Sequence, residues 1–193
     1  MRYVCTTPPT SAAVALADVR QFCRIDGHDD DALLVRLVDR ATRELERALS
    51  RQFVTATWKL YLSHFPAEIE LRILPVASVT SITYVDTSGT TQTLAADQYQ
   101  TNLVGLDTPG RIKPAYGLTW PSTRSDTYNS VTVTFTAGYG AATAVPESVK
   151  QAIQLLVAHG YENREPINIG NLVTPIDITL QWLMSLEGWG DYS

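Results

Sequence analysis

The hydrophobic period of this chain is helical at both ends and alternating in the middle. Leu16, Val19, Phe22 and Cys23 recur at helical spacing, which predicts a short helix over about 15–25, ended by Gly27. Asp29, Asp30 and Asp31 follow, where negative charge favours the exposed N–H groups of a new helix. That second helix is predicted over about 29–50, with Leu34, Leu37, Val38, Ala41, Leu45 and Ala48 on one apolar stripe. From Phe53 the period becomes two. Val54, Ala56, Trp58, Leu60 and Leu62 alternate with polar residues, as do Ile69, Leu71 and Ile73. Ile82 and Tyr84 share a strand face, and Asp86-Thr87-Ser88-Gly89 supplies a turn. Shorter strands are expected near 92–94, 99–103 and 111–113. Val131, Val133 and Phe135, set against threonines, make the clearest late strand. About six or seven short antiparallel strands predict a small sandwich or barrel.

Gly138-Tyr139-Gly140 ends the alternation. Pro146 and Glu147 suit a first helical turn, and Val149, Ile153, Leu156 and Val157 give the buried face of a helix over about 146–163. After a loop containing Pro166 and Gly170, Thr174-Pro175-Ile176-Asp177 opens a last helix over about 175–187. The expected class is α+β. A helical body (short N-terminal, long, late and C-terminal helices) spans 1–52 and 139–193 with flexible termini, residues 1–13 being extended. An antiparallel β domain is inserted at 53–138.

The chain has 193 residues, enough to bury a core without disulfides or metal. The formal net charge of −5 gives no field that attracts nucleic acid. Cys5 and Cys23 fit no zinc spacing, and a reduced environment is the expectation. Pro8 and Pro9 interrupt the N-terminal segment, which is not expected to be a signal peptide, and no apolar run approaches the ~20 residues of a membrane span.

Candidate chemistry is sparse. His28, His64 and His159 share no ligand spacing, and no phosphate loop, nucleophile elbow or metalloprotease motif occurs. Glu68 and Glu70 share a strand face, but two exposed acids are ordinarily solvated, and Asp29-Asp30-Asp31 is not followed by a calcium-type loop. No cofactor or metal is expected, and the chain reads as an assembly part rather than an enzyme. Two surfaces are candidate partner or subunit interfaces. One is the ridge of Arg36, Arg40, Arg43 and Arg47 on the polar face of the second helix. Asp39 with Arg43, Arg40 with Glu44, and Arg43 with Glu46 are spaced for ion pairs, so the ridge is expected to be largely self-paired and to contact DNA weakly. The other is the C-terminal segment, where Trp182, Met184, Trp189 and Tyr192 are anchors of the kind interfaces use. The alternative reading is a small β module binding carbohydrate or peptide on Trp58, Tyr61 and Tyr84.

Several segments together resemble the head–tail connector (adaptor) proteins of long-tailed phages, prophages and gene transfer agents. These are the helix Leu16–Ile25, the run DDDALLVRLVDRATRELERAL with Ser50-Arg51-Gln52, and Leu74-Pro75-Val76 before VASVTSITYVDTSG. Gly110-Arg111-Ile112-Lys113-Pro114, Trp120-Pro121, FTAGYG, Val145-Pro146-Glu147 and Tyr161-Glu162-Asn163-Arg164 follow in order. The resemblance covers almost the whole chain, and the long Thr/Ser-rich β block departs from it. It implies a virion structural protein at the head–tail junction, present in the host cytoplasm before assembly. Its implied partners are the capsid portal, a tail-side head-completion (stopper) protein, and copies of itself. Those copies are expected as a dodecameric ring when assembled and as a monomer when free. DNA passes through the ring without sequence-specific binding, and no membrane is involved. No catalytic residue is implied.

Overall fold

The structure is a computed structural model and describes residues 1–162. The helix expected over 175–187 and the aromatic tail lie outside the described residues. The chain divides into two units. One contains Met1–Thr10 and Ser50–Tyr139; the other contains Ser11–Leu49 and the chain from Gly140. The first ten residues thus belong with the sheets, not with the helices.

The first unit holds eight strands: β1 (Arg2–Thr7), β2 (Ala56–Leu62), β3 (Ile69–Leu71), β4 (Val76–Val85), β5 (Thr91–Thr93), β6 (Tyr99–Asn102), β7 (Gly110–Pro114) and β8 (Val131–Ala137). They form a five-stranded sheet in the order β1-β2-β8-β4-β5 and a three-stranded sheet in the order β3-β7-β6. All the strand pairings are antiparallel. The alternation in β2 and β8 carries through directly. Trp58 faces Phe135 and Leu60 faces Val133 across the pair, so one face of both strands is apolar. Leu60, Ile82, Val133 and Phe135 from the larger sheet join Ile69, Leu71 and Ile112 from the smaller one in a single core. The two sheets share this core without closing into a barrel.

β1 was expected only as extended, flexible chain. It is an edge strand, with Arg2 opposite Tyr61 and Cys5 opposite Trp58. Its tie to the core is Tyr3, whose ring meets Phe135 edge-on at 6.3 Å. The Tyr3 hydroxyl donates to the Glu70 carbonyl at 2.9 Å and accepts from the Arg72 N–H at 3.1 Å. This one side chain therefore links both sheets, and burial pushes its phenol pKa up.

The β4–β5 turn is held by one carboxylate. Asp86 accepts from the Ser88 and Thr90 N–H groups, each at 2.9 Å, from the Ser88 hydroxyl at 2.5 Å and from Gln92 Nε2 at 2.9 Å. These bonds favour the ionised form and lower its pKa from 3.8 to about 2, with the Ser88 and Gln92 side chains the largest causes. A folded pKa below the unfolded one means the stabilisation is complete above about pH 4 and is lost as pH falls through about 2. Wild type should therefore melt above Asp86→Ala at neutral pH, and the gap should close as pH falls from about 4 to about 2. Melting curves across that range check this; a gap that persists at the acid end refutes the assignment.

The second unit holds α1 (Leu16–Cys23), α2 (Asp31–Leu49) and α3 (Glu147–Glu162). α1 ends earlier than Gly27: Arg24 takes the left-handed conformation at φ 56°, and its N–H is satisfied within the last turn of the helix. Val19 of α1, Leu34, Val38, Ala41 and Leu45 of α2, and Val149, Ala152, Ile153 and Val157 of α3 are buried. α2 and α3 pack together although the whole β block separates them in sequence. Ala48, expected on the α2 stripe, is exposed, and the buried stripe closes at Leu45. Beyond the apolar contact, Tyr161 Oη donates to Asp30 Oδ2 at 2.5 Å and ties the end of α3 to the α1–α2 turn.

Candidate functional site

Arg36, Arg40, Arg43 and Arg47 recur on successive turns of α2, so their guanidinium groups form one line about 16 Å long. All four are exposed. With Asp39 and Glu44 they border a shallow groove of about 330 Å³. Of the ion pairs expected from spacing, Arg40 with Glu44 forms, Nε to Oε1 at 2.8 Å. It is open to solvent on both sides (73% and 53% exposed), so water and salt screen it. Among the described residues, Arg36, Arg43 and Arg47 form no ion pair with Asp39, Glu46 or any other carboxylate. The ridge is therefore not largely self-paired. Helical spacing brings side chains within reach, but solvated arginines also keep rotamers that do not turn toward the neighbouring acid.

Trp182, Met184, Trp189 and Tyr192 lie outside the described residues. The aromatic platform of the alternative reading is not assembled. Trp58 lies on the core side of β2 and donates Nε1–H to Gln52 Oε1 at 3.1 Å. Tyr84 packs edge-on against Phe65 at 5.8 Å. Tyr61 is three residues beyond Trp58 on a strand and so points to the opposite face. His28 contacts Arg20 at 2.8 Å and Asp31 at 3.1 Å, in a local cluster at the start of α2. Among the described residues no group of three potential ligands is placed to hold a metal. Glu70 pairs with Arg72 at 3.0 Å and Glu68 with Arg111 at 4.0 Å, so neither acid is available as half of a carboxylate dyad.

Two exposed loops escaped the sequence reading. Arg51 lies just past α2, and its side chain is only 4% exposed. Its Nη1 donates to the Leu106 carbonyl at 3.0 Å and to Tyr139 Oη at 2.9 Å, and its Nη2 to Asp107. Thr108 Oγ1 adds a bond to the Val104 carbonyl at 2.7 Å. The β6–β7 loop is thus fixed while Val104 (83%) and Leu106 (57%) stand in solvent. The β7–β8 loop is anchored by Trp120, stacked on Phe65 at 4.7 Å, and presents Tyr116 and Tyr128 almost fully exposed. Large apolar groups on internally bonded loops are features of contact surfaces. A lone Arg beside Phe53 and Val54 was the one sequence signal for the first loop.

No pocket chemistry thus emerges from the described residues; the distinctive features are a charged surface on the helical unit and apolar loops on the sheet unit. A model of head completion proteins matches residues 13–168, across both units. The chain belongs to the head completion protein family. It is accordingly a structural component of a phage-like particle, and not an enzyme. Solved relatives agree over nearly the full length. A chain from the neck of an empty gene transfer agent (GTA) particle, computed with C6 symmetry, is 26% identical with a TM-score of 0.76, covering 95% of each chain. A chain in the virion of a native GTA particle is 27% identical with a TM-score of 0.74, again covering 95% of each. A third, from the neck of a native GTA particle computed with C12 symmetry, is 26% identical with a TM-score of 0.74, covering 95% of this chain and 94% of that one. No curated protein matches the chain.

Proposed function

We propose that this head completion protein forms a ring of its own copies at the head–tail junction of a GTA-like or prophage particle. The ring sits beneath the capsid portal, receives a tail-side stopper protein below, and leaves a central passage for DNA. The observation that carries this reading is the likeness to neck chains over 95% of this chain, helical unit and sheets alike. The C12 symmetry used for the native neck supports a dodecamer in the particle. Before assembly the chain is a monomer in the host cytoplasm. Its net charge of −5 suits a channel wall that lets DNA slide without sequence-specific contact. The mechanism is geometric: each copy holds its neighbours, one rim of the ring meets the portal and the other meets the stopper.

Imaging the protein mixed with its portal, and imaging purified particles, tests the ring. One ring per neck is expected; necks that lack the chain refute the reading. We assign Trp182, Met184, Trp189 and Tyr192 to docking in the same assembly. Deleting residues 174–193 should leave the melting curve of the free chain unchanged yet abolish incorporation into necks. A truncated chain that still completes tailed particles removes that role, and one that melts earlier assigns the segment to stability instead.

A further inference from the structure

The arginine ridge is only partly neutralised from within, by the Arg40–Glu44 pair. Arg36, Arg43 and Arg47 are exposed and make no ion pair among the described residues. The charge around them is strongly segregated. Besides the four ridge arginines, the described part of the helical unit carries ten carboxylates, two of them (Asp39 and Glu44) along the ridge itself, against three further cationic side chains, Arg20, Arg24 and Lys150. Two of the acids, Asp26 and Asp29, are exposed at the α1–α2 turn and are likewise in no ion pair. The ridge and these acids lie at different levels of one helix axis: the turn precedes the first residue of α2, and the ridge begins in its second turn.

This distribution restricts how two copies can meet. A two-fold contact through the ridge sets arginine against arginine, and like charges juxtaposed at an interface are costly. Ridge against acidic turn joins unlike charges, and such a contact is heterologous: each copy uses one surface as donor and another as acceptor. Repeated, a contact of that kind closes into a ring where the rotation allows. We propose that the Arg36–Arg43–Arg47 ridge docks on the acidic α1–α2 turn, Asp26 and Asp29, of a second copy of this chain. The inference rests on the ring reading and adds to it the surfaces and the polarity of the subunit contact. Each solvated ion pair contributes little, so the pairs set orientation and register while closure of the ring multiplies their effect. Rising salt should weaken assembly accordingly.

Charge exchange tests it in cells that make particles but lack the native gene. One variant carries Arg36→Glu, Arg43→Glu and Arg47→Glu; the other carries Asp26→Lys and Asp29→Lys. Each alone sets like charges across the contact and is expected to be missing from necks. Produced together they restore unlike charges at each junction of an alternating ring, and incorporation is expected to return. Melting curves of both variants establish that they fold. A ridge variant that enters necks as wild type does overturns the proposal. So does one that enters necks but yields particles that lose their DNA, which assigns the ridge to phosphate contact instead. If both variants fold and the pair still fails to enter, the ridge meets another component and the proposal is wrong. If wild type itself is absent from necks, the ring reading falls and this contact with it.

Discussion

Ile153→Asp is expected to unfold the helical unit. Ile153 is fully buried on α3, among the apolar residues that α3 shares with α2. The change removes an aliphatic side chain whose truncation alone costs about 2–5 kcal/mol. It then buries a carboxylate away from water, and the loss should exceed about 4 kcal/mol against a total stability of about 5–15. Circular dichroism should show early melting or an insoluble product, while Ile153→Val should cost only about 0.5–1.5 kcal/mol. The same Asp substitution at Leu37, which is half-buried, should be milder because water reaches the new charge. An Ile153→Asp chain that stays soluble and melts like wild type would falsify the account of how α2 and α3 hold each other.

The second large effect belongs to Gly138, at the exit of β8. Its φ is +128°, a region closed to side chains, and an added Cβ lies 2.6 Å from Thr55 Cα and 2.7 Å from Thr55 N. Both neighbours are backbone of the chain entering β2, and cannot swing aside. Gly138 N–H also donates to the Pro75 carbonyl at 2.9 Å, so moving the exit strand breaks a second connection. Gly138→Ala should therefore destabilise by about 2–4 kcal/mol. Gly117 provides the control. Its φ is +77°, but nothing lies within 4 Å of its Cβ position, so alanine there should cost only about 1 kcal/mol. Denaturant midpoints of the two variants separate strain from collision; equal midpoints contradict the collision.

Sequence pattern located the elements with one wet face and one dry face. β2 and β8 alternate cleanly, and α2 and α3 carry helical stripes, because each has a core on one side only. β4 was harder to read, and the reason is physical. Its inward residues Val76, Val79 and Ile82 are three apart, because the register against β8 shifts between Val76 and Ser78 and again between Val79 and Ser81. Each bulge adds a residue and flips the alternation. β1 showed no stripe because an edge strand with one inward tyrosine needs none. Membership of a head–tail assembly family was legible in the order of several weak segments. The state of the arginines was not: spacing shows which charges are neighbours, whereas pairing depends on rotamers in water. Nor was the Arg51 clamp, because its acceptors, on the β6–β7 loop and at Tyr139, lie more than 50 residues away.

The division of the chain into interleaved units has a consequence during synthesis. β1 leaves the ribosome well before its partner β2, which lies beyond the first two helices, and the central strand β8 comes only after Ser130. α2, on which Leu34, Val38 and Leu45 are buried, likewise emerges long before α3, which packs on it. Both units wait for residues beyond Ser130. A ribosome stalled anywhere earlier therefore holds a chain with an open sheet edge and an uncovered helix stripe, which chaperones and proteases recognise. A copy cut off before α3 should therefore be cleared before it can enter an assembly.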